Sequence, residues 1–200
     1  MARRAGDPAY GTAMKAILEL PEARPWVAHL SVEEFHRTAE LGIYGKRAEL
    51  LRGIVFQKPP VSPLHQKISK RLYDHLLKLA LPQASVRHES PLTLRDSEPL
   101  PDVAVVAGED RDFDEQHPST AELVIEVAVS SVALDRENAA LFAEAGVKEY
   151  WIVLAEKQQV EVYRRPEGGQ YRERRIYAGE ENVECGALAA IRVSLPALFA

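Results

Sequence analysis

The sequence predicts a single α+β domain, with a central mixed β-sheet flanked by helices and extra β-hairpins. It spans residues 31–200, behind an N-terminal extension of residues 1–30. Three observations carry this reading. Helical and strand-like segments come in the order helix, strands, helix, strands, helix, strands, a mixture that packs as helices on a sheet. Two segments, 103–107 and 122–129, are apolar at odd and even positions alike, as in strands covered on both faces. Ile68, Leu72, Leu76 and Leu79 recur every three to four residues, so one face of a long helix lies on a core.

Along the chain, a short helix is expected at 14–20, closed by Pro21. Ser31 stands three residues before Glu34, the spacing of a capping box, and Leu30 and Phe35 are placed as a hydrophobic staple. Phe35 and Leu41 would give that helix its apolar face and Gly42 its stop. Residues 47–57 read as a hairpin around Arg52-Gly53, broken by Pro59-Pro60. Ser62-Pro63 opens the long helix, proline being favoured at the first helical position. Its outer face carries Lys67, Lys70, Arg71 and Lys78, read as a solvated surface. Short strands are expected at 85–89 and 92–95, then at 103–107 and 122–129. A helix at 135–145 ends at Gly146, and strands follow at 148–154, 159–164 and 171–177, with an edge strand at 190–193.

Composition narrows the function. Of 200 residues, 46% are apolar and 28% charged, an ordinary globular balance that excludes a disordered or fibrous chain. No apolar run approaches the ~18 residues of a membrane span. Arg3 and Arg4 are not followed by the apolar stretch of a secretory leader, and the lone Cys185 cannot form an internal disulfide or a thiolate metal site. A cytoplasmic location is expected. The net charge of −5 means that any contact with nucleic acid comes through a local patch.

The acids are the informative residues. Glu126 interrupts Leu123-Val124-Ile125 and Val127-Ala128-Val129, where an ionised carboxylate costs several kcal/mol unless it is paired, hydrogen-bonded or metal-bound. Asp102 stands at the mouth of the strand that begins at Val103, and Glu49 lies in Ala48-Glu49-Leu50-Leu51 beside a glycine turn. Two or three such carboxylates, with water in the remaining positions, make a Mg²⁺ or Mn²⁺ site able to activate water on a phosphodiester. His65, in the first turn of the long helix, is placed to face an anion. Tyr150-Trp151 could stack on bases, but core packing accounts for them better. A phosphate-binding glycine loop, a Gly-x-Ser-x-Gly elbow and a His-x-x-x-His pair are all missing from the sequence.

Glu49-Leu50-Leu51-Arg52-Gly53, His65, Pro101-Asp102-Val103-Ala104-Val105-Val106, Glu122-Leu123-Val124-Ile125-Glu126-Val127, Asp135-Arg136 and Gly146-Val147-Lys148-Glu149-Tyr150-Trp151 together resemble the Uma2 family (DUF820). Its members look like PD-(D/E)XK nucleases of the restriction-endonuclease-like fold. The resemblance implies a Mg²⁺- or Mn²⁺-dependent endonuclease acting on DNA, with Asp102, Glu126 and Glu49 as metal ligands; His65, and Glu89 from its own short strand, are candidates to stand around them. It also implies a lysine two residues after Glu126, where Ala128 stands. The alternative family position, four residues before Phe142, holds Asn138. Either Arg136 supplies the missing charge, or the protein is a catalytically impaired nuclease fold acting in binding or assembly. Hydrolysis of another phosphate ester is a third reading. A homodimer or higher homo-oligomer is expected, since two related sites cut two strands most simply.

Overall fold

The structure, a computed structural model, describes residues 20–200. The helix expected at 14–20 falls, all but its last residue, outside them. At the start of the described chain, Ser31 caps α1 (Val32–Glu40), its hydroxyl accepting from the Glu34 N–H while the Glu34 carboxylate accepts from the Ser31 N–H. Phe35 is the one buried residue of this helix. Leu41 is 76% exposed, so the expected apolar face stops at Phe35.

Strands β1 (Ala48–Leu51) and β2 (Ile54–Gln57) form the expected hairpin. Its two-residue turn has positive φ at Arg52 and Gly53, 54° and 78°, the left-handed geometry of a tight hairpin loop. A Cβ on Gly53 would lie 2.7 Å from the His29 Cβ, and the Leu30 N–H donates to the Gly53 carbonyl, so glycine lets the preceding chain lie close. Helix α2 (Pro63–Leu77) comes next, capped by the Ser62 side chain. The main sheet contains β3 (Ala84–His88), β4 (Val103–Ala107), β5 (Leu123–Ala128), β6 (Glu149–Leu154), β7 (Gln159–Glu167) and β8 (Gln170–Ala178), in that spatial order. Within it only β5 and β6 are parallel, and α3 (Val132–Glu144) makes the crossover between them.

The sheet separates two cores. Val103, Val105, Leu123, Ile125, Val127 and Trp151 pack on one face with Ile68, Leu72 and Leu76 of α2. Ala104, Val106, Val124, Tyr150 and Ile152 pack on the other with Ala139, Leu141 and Phe142 of α3. Both β5 and β6 are buried along their whole length, as continuous apolar runs require.

Two expected strands differ. Residues 92–95 form a loop, because Leu94 N–H bonds to Ser97 in a tight turn and Thr93 N–H to Pro118. The segment near 190–193 is β10 (Arg192–Ser194). It pairs with β9 (Asn182–Glu184) in a separate ribbon instead of at the edge of the main sheet. There Val183, Ile191 and Val193, with Leu195 and Leu198 of α4 (Leu195–Phe199), close the core over α2.

Candidate active site

Antiparallel pairing of β4 and β5 sets Val103 opposite Ile125 and Ala104 opposite Val124. One rung further, Asp102 stands opposite Glu126. Both are buried, and each takes an amide from the other's strand. The Asp102 N–H donates to Glu126 Oε2 (3.4 Å), and the Val127 N–H donates to Asp102 Oδ2 (2.7 Å). The acid in the middle of the apolar strand therefore faces a second acid and carries no arginine.

Glu49 arrives from β1. The hairpin is held by reciprocal backbone bonds between Leu50 and Glu98, on the segment leading into β4. Glu49 Oε1 accepts from the Leu100 N–H and from Lys58 Nζ, each at 2.7 Å. Lys58 Nζ also lies 3.9 Å from Glu126 Oε2 and 3.0 Å from the Leu100 carbonyl oxygen. His65 Nε2 is 3.0 Å from Asp102 Oδ2, while its Nδ1 is buried without a partner. These groups, with Asp135 in the first turn of α3 and Asn138 one turn further on, line one cavity of about 340 Å³. Two larger hollows, beside Arg52 and beside His75, have no cluster of buried acids.

The electrostatics follow from burial and like charge. Burial raises the Glu126 pKa well above the ordinary carboxylate value, and Asp102, Asp135 and Glu49 add to it against Lys58. Burial likewise raises Asp135, to about 6, although the Ser131 hydroxyl donates to it. At Asp102 burial is outweighed by the His65 hydrogen bond, by Lys58 and by the Val127 amide, which hold its carboxyl low. Burial opposes the Lys58 ammonium, but Glu126, Glu49 and Asp102 raise its pKa further than burial lowers it. Four acids thus surround one ammonium, an excess of negative charge suited to a divalent cation. Among the described residues, no three His, Cys, Asp or Glu side chains form a ready-made metal cage. Mg²⁺ needs none, since it is commonly held by one or two carboxylates and its own waters.

Of the residues singled out from sequence, Glu49, Asp102, Glu126, His65 and Asn138 share the cavity. Glu89 does not reach the acids. Its carboxylate pairs with Arg47 at 2.9 Å, and Arg47 in turn lines the cavity. Arg136 is turned away. Its guanidinium binds fully buried Glu161 on β7, which also takes Arg174 (2.8 Å) and the Tyr163 hydroxyl (2.9 Å). Arg136 therefore does not line the cavity, and its guanidinium is engaged on the neighbouring strand β7. Tyr150 and Trp151 are core residues, and Tyr150 donates to the Asp135 carbonyl oxygen. The group that sequence reading missed is Lys58. Its only signal is a lysine placed between an amphipathic strand and Pro59-Pro60, in a chain with Asn138 where a cation is expected.

A mixed sheet with helices on its faces, and opposed acids just before β4 and within β5, defines the restriction-endonuclease-like class of fold. Residues 32–196 match the sequence model of Uma2, described as "Putative restriction endonuclease". The chain belongs to the Uma2 family. A similar solved structure is that of "a putative nuclease belonging to DUF820 from Anabaena variabilis ATCC 29413", with a TM-score of 0.73 and 20% identity. The match covers 85% of this chain and 97% of that one. No curated protein matches the sequence. No described helix is long and apolar enough to cross a membrane.

Proposed function

We propose that this protein is a metal-dependent endonuclease that hydrolyses phosphodiester bonds in DNA. The observation that carries the reading is the buried pair of Asp102 and Glu126, opposed on neighbouring strands and opening into the cavity. Asp102 and Glu126 would hold a Mg²⁺ or Mn²⁺ ion, with Glu49 completing the acidic wall. Such an ion polarises the phosphate and activates a water. The protein groups do the positioning. The Val127 amide and His65 orient Asp102, and the Asp102 amide holds Glu126. In the reaction a water oxygen bonds to phosphorus, and the bond from phosphorus to one ester oxygen breaks. The water proton passes to solvent, and the departing oxygen takes up a proton to leave a hydroxyl end. Arg47 and Lys58 are the cations that line the cavity and would meet an incoming phosphate, once a bound divalent ion offsets the charge of the acids.

Plasmid DNA incubated with the purified protein and Mg²⁺ or Mn²⁺ tests this. Nicking or linearisation is expected, suppressed by EDTA and by Asp102→Ala. Activity no greater than that of Asp102→Ala at every metal concentration refutes it. If DNA binding persists without cleavage, the impaired-nuclease reading, motivated by neutral Asn138 in the cavity, takes its place. Light scattering in solution checks the expected homodimer, which would bring two sites to one duplex.

A further inference from the structure

Hydrolysis of a phosphodiester loads negative charge onto the phosphate and the departing oxygen, and a fixed positive group aimed at that charge lowers the barrier. The cavity offers few such groups. Arg136 is committed to Glu161 and Arg47 to Glu89, while Asn138 is neutral. Lys58 is different. Its ammonium contacts Glu49, lies within 4 Å of Glu126, and belongs to a side chain that is 23% exposed, with its tip on the cavity. Its position is also held by backbone. The Lys58 N–H donates to the Arg47 carbonyl, extending the β1–β2 ladder, and Pro59-Pro60 stiffens the chain on its other side.

From this geometry we infer that Lys58 is the catalytic cation of the site, delivered by the β1–β2 hairpin instead of by β5 or α3. The inference rests on the metal-dependent nuclease reading above. When phosphate enters, Lys58 stays protonated and exchanges part of its contact with Glu49 for a non-bridging phosphate oxygen. There it stabilises the charge that builds as the water–phosphorus bond forms and the ester bond breaks. The long stem matters because it reaches the acids from a neighbouring hairpin without interrupting either apolar strand. The hairpin turn at Arg52-Gly53 sets the register that brings Lys58 beside Glu49.

The test compares Lys58→Met, which keeps the buried stem, with Lys58→Met/Asn138→Lys, which returns an ammonium to the cavity from α3. Two readouts are used: plasmid cleavage, and Mn²⁺ affinity by calorimetry without DNA. Lys58→Met should cleave at least 100-fold more slowly than the parent, the order expected for removing one transition-state charge partner. It should also bind Mn²⁺ several-fold more tightly, because a cation has left the ion's surroundings. The double variant should regain at least tenfold in cleavage and return Mn²⁺ affinity toward the parent's, which a variant that is merely misfolded cannot do. Cleavage by Lys58→Met within threefold of the parent, or unchanged Mn²⁺ affinity, overturns the role of Lys58. Asp102→Ala distinguishes the two readings. If it too leaves Mn²⁺ affinity unchanged, or if the parent never cleaves, the nuclease reading itself has failed and the inference falls with it.

Discussion

Replacing Glu126 by Gln is expected to make the metal-free protein more stable and the metal-loaded protein relatively less so. The side chain is only 6% exposed, faces Asp102 across the β4–β5 pairing, and has burial and three neighbouring acids opposing its ionisation. Gln keeps an oxygen for the Asp102 amide and nearly the same volume, while Lys58 retains Glu49. Exchanging such a poorly compensated buried charge for a neutral group stabilises by about 1–3 kcal/mol, and a domain of this size gains roughly 2–4 °C of Tm per kcal/mol. The proposed ion should act in the other direction. At a hundredfold excess over its Kd it would add about 2.7 kcal/mol to the parent, or roughly 5–10 °C. Lacking one of the two carboxylates proposed to hold it, the variant should keep less than about a third of that increment. Thermal unfolding at pH 7.5, in EDTA and in saturating Mg²⁺, reads both quantities. A variant that melts below the parent in EDTA, or that gains as much from Mg²⁺, refutes the account of Glu126 as a charge held in reserve for a cation.

Three further outcomes are expected. Asp135 has its carboxyl raised from 3.8 to about 6, so the folded state holds a proton there that the unfolded chain has already released. The resulting penalty accumulates between about pH 4 and 6 and is complete above, amounting to at most about 3 kcal/mol at 1.36 kcal/mol per pH unit. Asp135→Asn should therefore match the parent near pH 4 and exceed it increasingly up to pH 6, with a constant gap beyond; denaturant titrations across that range check this. Arg136→Ala should leave nuclease activity within a fewfold of the parent, since Arg174 still covers Glu161. Arg136→Ala/Arg174→Ala leaves the Glu161 carboxylate with the Tyr163 hydroxyl as its side-chain partner and opens it to water, and should cost about 1–2 kcal/mol by urea unfolding. Ser31→Ala removes the hydroxyl half of the capping box and should cost about 1 kcal/mol in the same assay.

Much of the scaffold was legible in the chain because its signals are local. The capping box at Ser31 and Glu34, the Arg52-Gly53 turn and the Ser62-Pro63 helix start involve residues within a few positions of each other. The doubly covered strands needed only hydrophobic runs, and Glu126 was conspicuous because one charge broke such a run. Local signals also misled. Leu92 and Leu94 are buried as a strand's residues would be, yet their N–H groups donate to Pro99 and Ser97, and that of Thr93 between them to Pro118. The apolar segment after Leu188 met β9 before it could reach the main sheet.

By itself the sequence determined the mixed α and β layering, the buried acid of β5 and the acid at the mouth of β4, since burial and periodicity are written residue by residue. Tertiary structure alone decided that these two acids oppose each other, that Lys58 sits between Glu49 and Glu126, and that Arg136 serves Glu161. The reason is geometric. Side chains alternate faces along a strand, so a one-residue slip of β4 against β5 would pair Asp102 with a neighbour of the opposite face. The partner of a charge depends on a few ångströms between segments distant in the chain, because Coulomb attraction decays with separation in space and is indifferent to separation in sequence.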